Sequence, residues 1–101
     1  APVQARVMNI SDAQLEYSNQ VYTQLKKAGI RVEKDVRNEQ LNYKIRQAQL
    51  VKTPFMVIIG DKEVENNTVT VRLRDGENLA PMSVRDFIDY VMVESKVPVV
   101  S

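Results

Sequence analysis

The chain has 101 residues, 44% of them hydrophobic, and its 14 Lys and Arg against 13 Asp and Glu leave a formal net charge of +1. That length suits one domain burying somewhat under ~70% of its unfolded surface; no run approaches the ~20 apolar residues of a helical membrane span, and so small a net charge excludes indiscriminate binding of polyphosphates. With no Cys and no His there is no disulfide, thiolate nucleophile, thiolate metal site or imidazole base, so catalysis by this segment alone is not expected.

Residues 3–10, "VQARVMNI", alternate as a strand and run into Ser11 and Asp12, favoured helix N-cap residues; Gln14, three positions after Ser11, completes a possible capping box. Tyr17, Val21, Leu25 and Ala28 form one apolar helical stripe, which predicts a helix over about 13–28, with Gly29 where a helix end adopts positive φ. "IRVEKDV" is a short second strand. In the next helix Leu41, Ile45 and Ala48 make the buried stripe, Asn42, Arg46 and Gln49 an adjacent polar face, and Pro54 stops it.

The apolar run "FMVII", residues 55–59, reads as a central strand buried on both faces. "GDKEVENN" is a polar turn or short helical turn. In "TVTVRLR" Val69, Val71 and Leu73 share one face while Thr68, Thr70, Arg72 and Arg74 share the other. Asp75 and Gly76 make a hairpin turn toward a further antiparallel strand near 77–82. Ser83 with Asp86 caps a last helix whose core stripe is Val84, Phe87, Ile88 and Val91, and "KVPVVS" is expected to fray. These elements predict a three-layer α/β/α fold: a mixed sheet of about five strands, three parallel and two antiparallel, with three principal helices.

The charge is uneven. Residues 40–60 hold Lys44, Arg46 and Lys52 with no acid, whereas residues 75–94 hold Asp75, Glu77, Asp86, Asp89 and Glu94 against Arg85 alone. Lys44, Arg46, Lys52, Arg72 and Arg74 form either a solvated surface or an anion-facing one. Amides such as Asn42, Gln47 and Gln49 beside them would add donors for phosphates and base edges. Glu63 repels a phosphate backbone; it either ion-pairs with Lys62 or a nearby Arg, or accepts hydrogen bonds from an unpaired base such as guanine. Tyr43 is the one aromatic on that face, either stacking there or packing half-buried beside Ile45.

Other chemistries fit poorly. Glu63 and Glu65 are too close in sequence to flank a substrate, "DKEVE" lacks the ligand spacing of a hard-cation loop, and Gly29, Gly60 and Gly76 are too far apart to cradle a phosphate. No catalytic or metal-binding residue is assigned. The start at Ala-Pro without an initiator Met suggests a piece of a longer protein, and the absence of Cys suits a reducing compartment.

The strings "AGIRVEKDVRNEQLNYKIRQAQLVKTPFMVIIGDKEVENNTVTVRLR" and "APVQ" resemble the C-terminal anticodon-binding domain of class II aminoacyl-tRNA synthetases, within that group the threonyl-tRNA synthetases, over about residues 1–94. The resemblance implies an anticodon-binding domain over 1–95, a tail over 96–101, and a longer parent. Its partner would be the anticodon loop of threonine tRNA, with the guanine and uracil common to all threonine anticodons carrying identity. Asn38, Arg46, Glu63 and Arg72 match the family's base-reading residues, and Lys52 a basic residue near the RNA. On chemistry, Glu63 would take the Watson–Crick donors of guanine, Arg72 base acceptors, and Asn38, Arg46 and Lys52 bases or phosphates nearby. ATP, Mg²⁺, Zn²⁺ and a homodimer interface would belong to the parent's catalytic domain, none to this segment, and the compartment would be the cytoplasm or an organelle. Asn42 stands where the family usually has Gly. Asp86, Asp89 and Glu94 replace a basic extension of the last helix, which is expected to weaken affinity for the RNA backbone. A reused domain of the same fold, docking a protein through its sheet edge or helices, is the competing expectation.

Overall fold

In the computed structural model, residues 3–37 and 39–96 are described, the side chains through residue 93. Asn38 and the tail from residue 97 on lie outside the described residues. The elements in chain order are β1 (Ala5–Asn9), α1 (Leu15–Lys27), β2 (Val32–Asp35), α2 (Leu41–Leu50), β3 (Phe55–Ile59), α3 (Asp61–Asn66), β4 (Thr70–Leu73) and α4 (Val84–Lys96), with a 3₁₀ turn at Asp12–Gln14 leading into α1.

Local chemistry sets the helix boundaries. The Ser11 N–H donates to Gln14 Oε1 at 2.7 Å, one arm of the expected capping box. α1 closes where Gly29 takes φ 90; the Gly29 N–H then reaches Lys26 O at 3.1 Å and the Ile30 N–H reaches Leu25 O at 3.2 Å, satisfying two of the helix's terminal carbonyls.

The sheet order is β2-β1-β3-β4, parallel across β2, β1 and β3, with β4 antiparallel to β3. It has four strands rather than about five. Residues 77–82 do run back along β4, but through isolated bridges, Val69 to Met82 and Arg72 to Asn78. Pro81 has no N–H to give a ladder there.

The period of two sorts the core. Val7, Val57 and Val71 lie side by side in register on one face, where Val21 and Leu25 of α1 and Val84, Phe87 and Val91 of α4 cover them. Phe55 meets Phe87 edge-on at 5.9 Å and Tyr90 at 5.6 Å. The other face carries Met8, Met56 and Ile58, covered by Ile45 and Ala48 of α2. Because α2 links β2 to β3 across β1, as a right-handed crossover requires, β4 lies beyond it. Thr70 and Arg72, in register with Ile58 and Met56, are therefore only partly covered on that face.

Candidate nucleic-acid interface

At the end of β3 the chain turns into α3 at Gly60, whose backbone N–H donates to Glu63 Oε1 at 2.7 Å. A Glu three residues into a helix commonly reaches back in this way. Gly60 makes the room: a Cβ there would stand 3.0 Å from Glu63 Oε1 and 2.8 Å from Ile10 Cδ1. The other carboxylate oxygen, Glu63 Oε2, accepts from Thr70 Oγ1 at 2.8 Å. Glu63 is thus held by a helix cap and by β4, not by Lys62 or an Arg.

Two further bonds pin this corner. Gln14, 2% exposed, donates from Nε2 to Asp61 Oδ1 at 2.6 Å, and the Tyr17 hydroxyl donates to Thr68 O at 2.9 Å. Burial, with the negative Glu63 nearby, pushes the Tyr17 phenol above its ordinary pKa.

Thr70 and Arg72 are two residues apart on β4, so they share a face ~7 Å apart. Arg72 is partly buried and its Nε, out of solvent, has no hydrogen-bond partner. The structure therefore joins Glu63 to Thr70, two residues from Arg72 on the same face of β4. Alternation had placed Thr70 beside Arg72, yet only the fold shows that its hydroxyl reaches Glu63.

α2 supplies a second line beside the first. Gln47 faces β2 in a groove shared with Arg6, Glu33 and Asp35, which puts Asn42 and Gln49 on the opposite flank, toward β3 and β4. Arg46 is exposed one turn beyond Asn42; with Gln40 and Tyr43 the two line a shallow cleft of about 210 Å³.

Lys52 stands past the other end of α2, ~15 Å from its start. Its φ of 60 is left-handed, and the Lys52 and Thr53 N–H groups close the helix onto Gln49 O and Ala48 O at 3.0 Å each. This repeats the ending of α1, with Lys in place of Gly, at a cost of roughly 1 kcal/mol.

Lys44 corrects the sequence reading. Its charge predicts a surface cation, yet it is 1% exposed, and its Nζ donates to the backbone O and the Oδ1 of Asn9, both at 2.9 Å. Burial pushes its pKa down, opposed by nearby Asp35. Asp35, 5% exposed, accepts from Arg37 Nε at 2.9 Å and Nη2 at 2.8 Å, and these bonds hold its carboxyl below the usual range. Arg37 in turn lies over the Tyr43 ring, 5.4 Å from its centroid, so Tyr43, 42% exposed, has a cation as a partner on this surface. The signal for Lys44 was in the spacing, since position 44 lies three after Leu41 and four before Ala48, on the apolar stripe.

The chain has no Cys or His, and among the described residues no three metal-ligating side chains cluster. Nor, among them, is any helix long and apolar enough to cross a membrane.

Comparison with known proteins converges on one family. Residues 4–94 match the model of the anticodon binding domain. The threonine–tRNA ligase of Clostridium acetobutylicum is 53% identical over 96 residues, 95% of this chain and 15% of that protein; the chain spans about that same 15% of the other curated relatives. The RNA binding domain of threonyl-tRNA synthetase from Cryptosporidium parvum superposes with a TM-score of 0.87 at 31% identity, over 91% of this chain and 23% of that one. The histidyl-tRNA synthetase of Nostoc shares the fold at 24% identity, with a TM-score of 0.86 over 95% of this chain and 23% of that one. The chain belongs to the anticodon-binding domain family, and the curated relatives it matches are threonine–tRNA ligases.

Proposed function

We propose that this chain reads the anticodon of threonine tRNA for a parent threonine–tRNA ligase, through the guanine and uracil that all threonine anticodons share. The observation that carries the reading is the Glu63 carboxylate, fixed by Gly60 and Thr70 on the partly open sheet face that also bears Arg72. A carboxylate repels phosphates, so among RNA groups it serves the donors of a base edge or a ribose 2′-hydroxyl, and of these the base edge carries sequence. An ionised carboxylate has about four acceptor positions, so with two taken by the protein, each oxygen keeps capacity for one more donor. The N1–H and 2-amino group of guanine form such a parallel pair.

Arg72 is a donor of the right kind for carbonyl oxygens on the bases. Arg46 and Lys52, exposed on α2 and just past its end, would meet phosphates or bases nearby, and Asn38 is proposed as a further contact. In the parent, ATP-dependent threonylation, a zinc site and dimerisation would reside outside this segment, in a cytoplasmic or organellar enzyme. Binding at the anticodon would then be used to place the distant acceptor end.

The test is titration of the chain with threonine tRNA anticodon stem-loops carrying the native guanine or adenine in its place. The swap removes both donors and should weaken binding by about 1–3 kcal/mol, roughly five- to 150-fold. Glu63→Gln should erase most of that preference. Equal affinity for the two stem-loops would sink the proposal, and binding of a protein partner insensitive to salt would favour an interaction module instead.

A further inference from the structure

We infer that Thr70 is a positioning residue for guanine recognition, acting through Glu63; this rests on the guanine reading proposed above. A glutamate on a surface helical turn ordinarily samples several rotamers. Here the Gly60 N–H holds only Oε1, which leaves the carboxylate plane free to turn about that anchor. The Thr70 hydroxyl supplies the second point, donating to Oε2 at 2.8 Å. Two anchors, one on each oxygen, fix the plane and leave the outward acceptor positions of both oxygens side by side, the arrangement that two parallel donors require.

Three structural facts make Thr70 specific for this task. Its register opposite Ile58 sets its side chain on the same face of β4 as Arg72, which stands opposite Met56. Its hydroxyl has one proton to donate, and Glu63 takes it. Gly60, which cannot carry a Cβ without crowding Glu63 Oε1 at 3.0 Å, keeps the first anchor open. Glu63 is thereby ordered before the RNA arrives, so binding does not lose rotamer freedom at that residue.

The experiment compares anticodon stem-loops carrying guanine or inosine, which keeps the N1–H and lacks the 2-amino group. The chain should prefer guanine roughly ten-fold, the scale of one hydrogen bond to a charged group. Thr70→Val, with nearly the same shape and no hydroxyl, should reduce the preference to within about two-fold, and Thr70→Ser should restore it. In a Glu63→Gln background Thr70→Val should have no further effect on the ratio, because the two act as one unit. A Thr70→Val variant that weakens both RNAs equally, with the guanine preference intact, overturns the positioning role. If the unmodified chain itself binds guanine and inosine equally, the guanine reading fails and this inference fails with it. Should Thr70→Val not fold, as read by circular dichroism, the hydroxyl is structural and the inference is likewise overturned.

Discussion

The two faces of the sheet are built to different standards. Among the described residues, thirteen buried apolar side chains close the face under α1 and α4, against five on the face under α2. The first face is apolar across all four strands and interdigitates with two helices; the second is apolar only beneath one helix, then gives way to Thr70 and Arg72 on β4. Stability and recognition are thus separated through the thickness of one sheet. The closed face can be dense because nothing needs to enter it, and the open face can afford polar groups because the closed face holds the fold. The acidic Asp86 and Asp89 lie on α4, on the closed side, so their repulsion is directed away from the proposed interface.

If this separation holds, changes on the two faces should have opposite readouts. Phe87→Ala should destabilise the chain by about 3–5 kcal/mol in urea unfolding while leaving the affinity of the folded fraction for the anticodon stem-loop unchanged. Lys44→Met tests the buried cation on the sparser side: loss of its two bonds to Asn9 should cost about 1–3 kcal/mol. Arg72→Gln should do the reverse of Phe87→Ala, with about 1–3 kcal/mol lost from stem-loop binding and a smaller change in the unfolding midpoint.

Two smaller effects sharpen the comparison further. The Asp35 carboxyl is held below its ordinary value chiefly by Arg37, so the stability it contributes is present above the usual aspartate value of about 4 and is lost as pH falls through its lower folded value. Asp35→Asn should flatten that acid limb of the stability profile without changing the limb near neutrality. Finally, Lys52→Gly relieves a left-handed non-glycine residue and should raise stability by about 0.5–1 kcal/mol. The same change should lower the salt dependence of RNA binding by about one phosphate contact. A gain in stability with an unaltered salt slope would remove Lys52 from the interface.

Much of this organisation was legible in the sequence, and the reasons are specific. The strand over 55–59 could be bounded to the residue because a strand buried on both faces is a continuous apolar run between a Pro and a Gly. Gly29 declared the end of α1 because few other residues take its backbone conformation readily. Lys44 was misread because its charge was given more weight than its spacing, although a long amine with two acceptors at β1 can be buried. The bond from Thr70 to Glu63 could not be read at all, since it depends on the turn of α3 and the return of β4. The five-strand sheet was one strand too many because the hairpin turn at Asp75 and Gly76 was read correctly while Pro81 was not weighed against the strand beyond it.

That interrupted return has a further consequence. A β4 edge lined by a regular fifth strand would have presented an unbroken row of N–H and C=O groups to any neighbouring chain. Residues 77–82 instead lie along β4 at only two bridges, with Pro81 among them, and so cover the edge without creating a new one that another strand can copy. Replacing Pro81 to complete the ladder would make a tidier sheet and a stickier molecule.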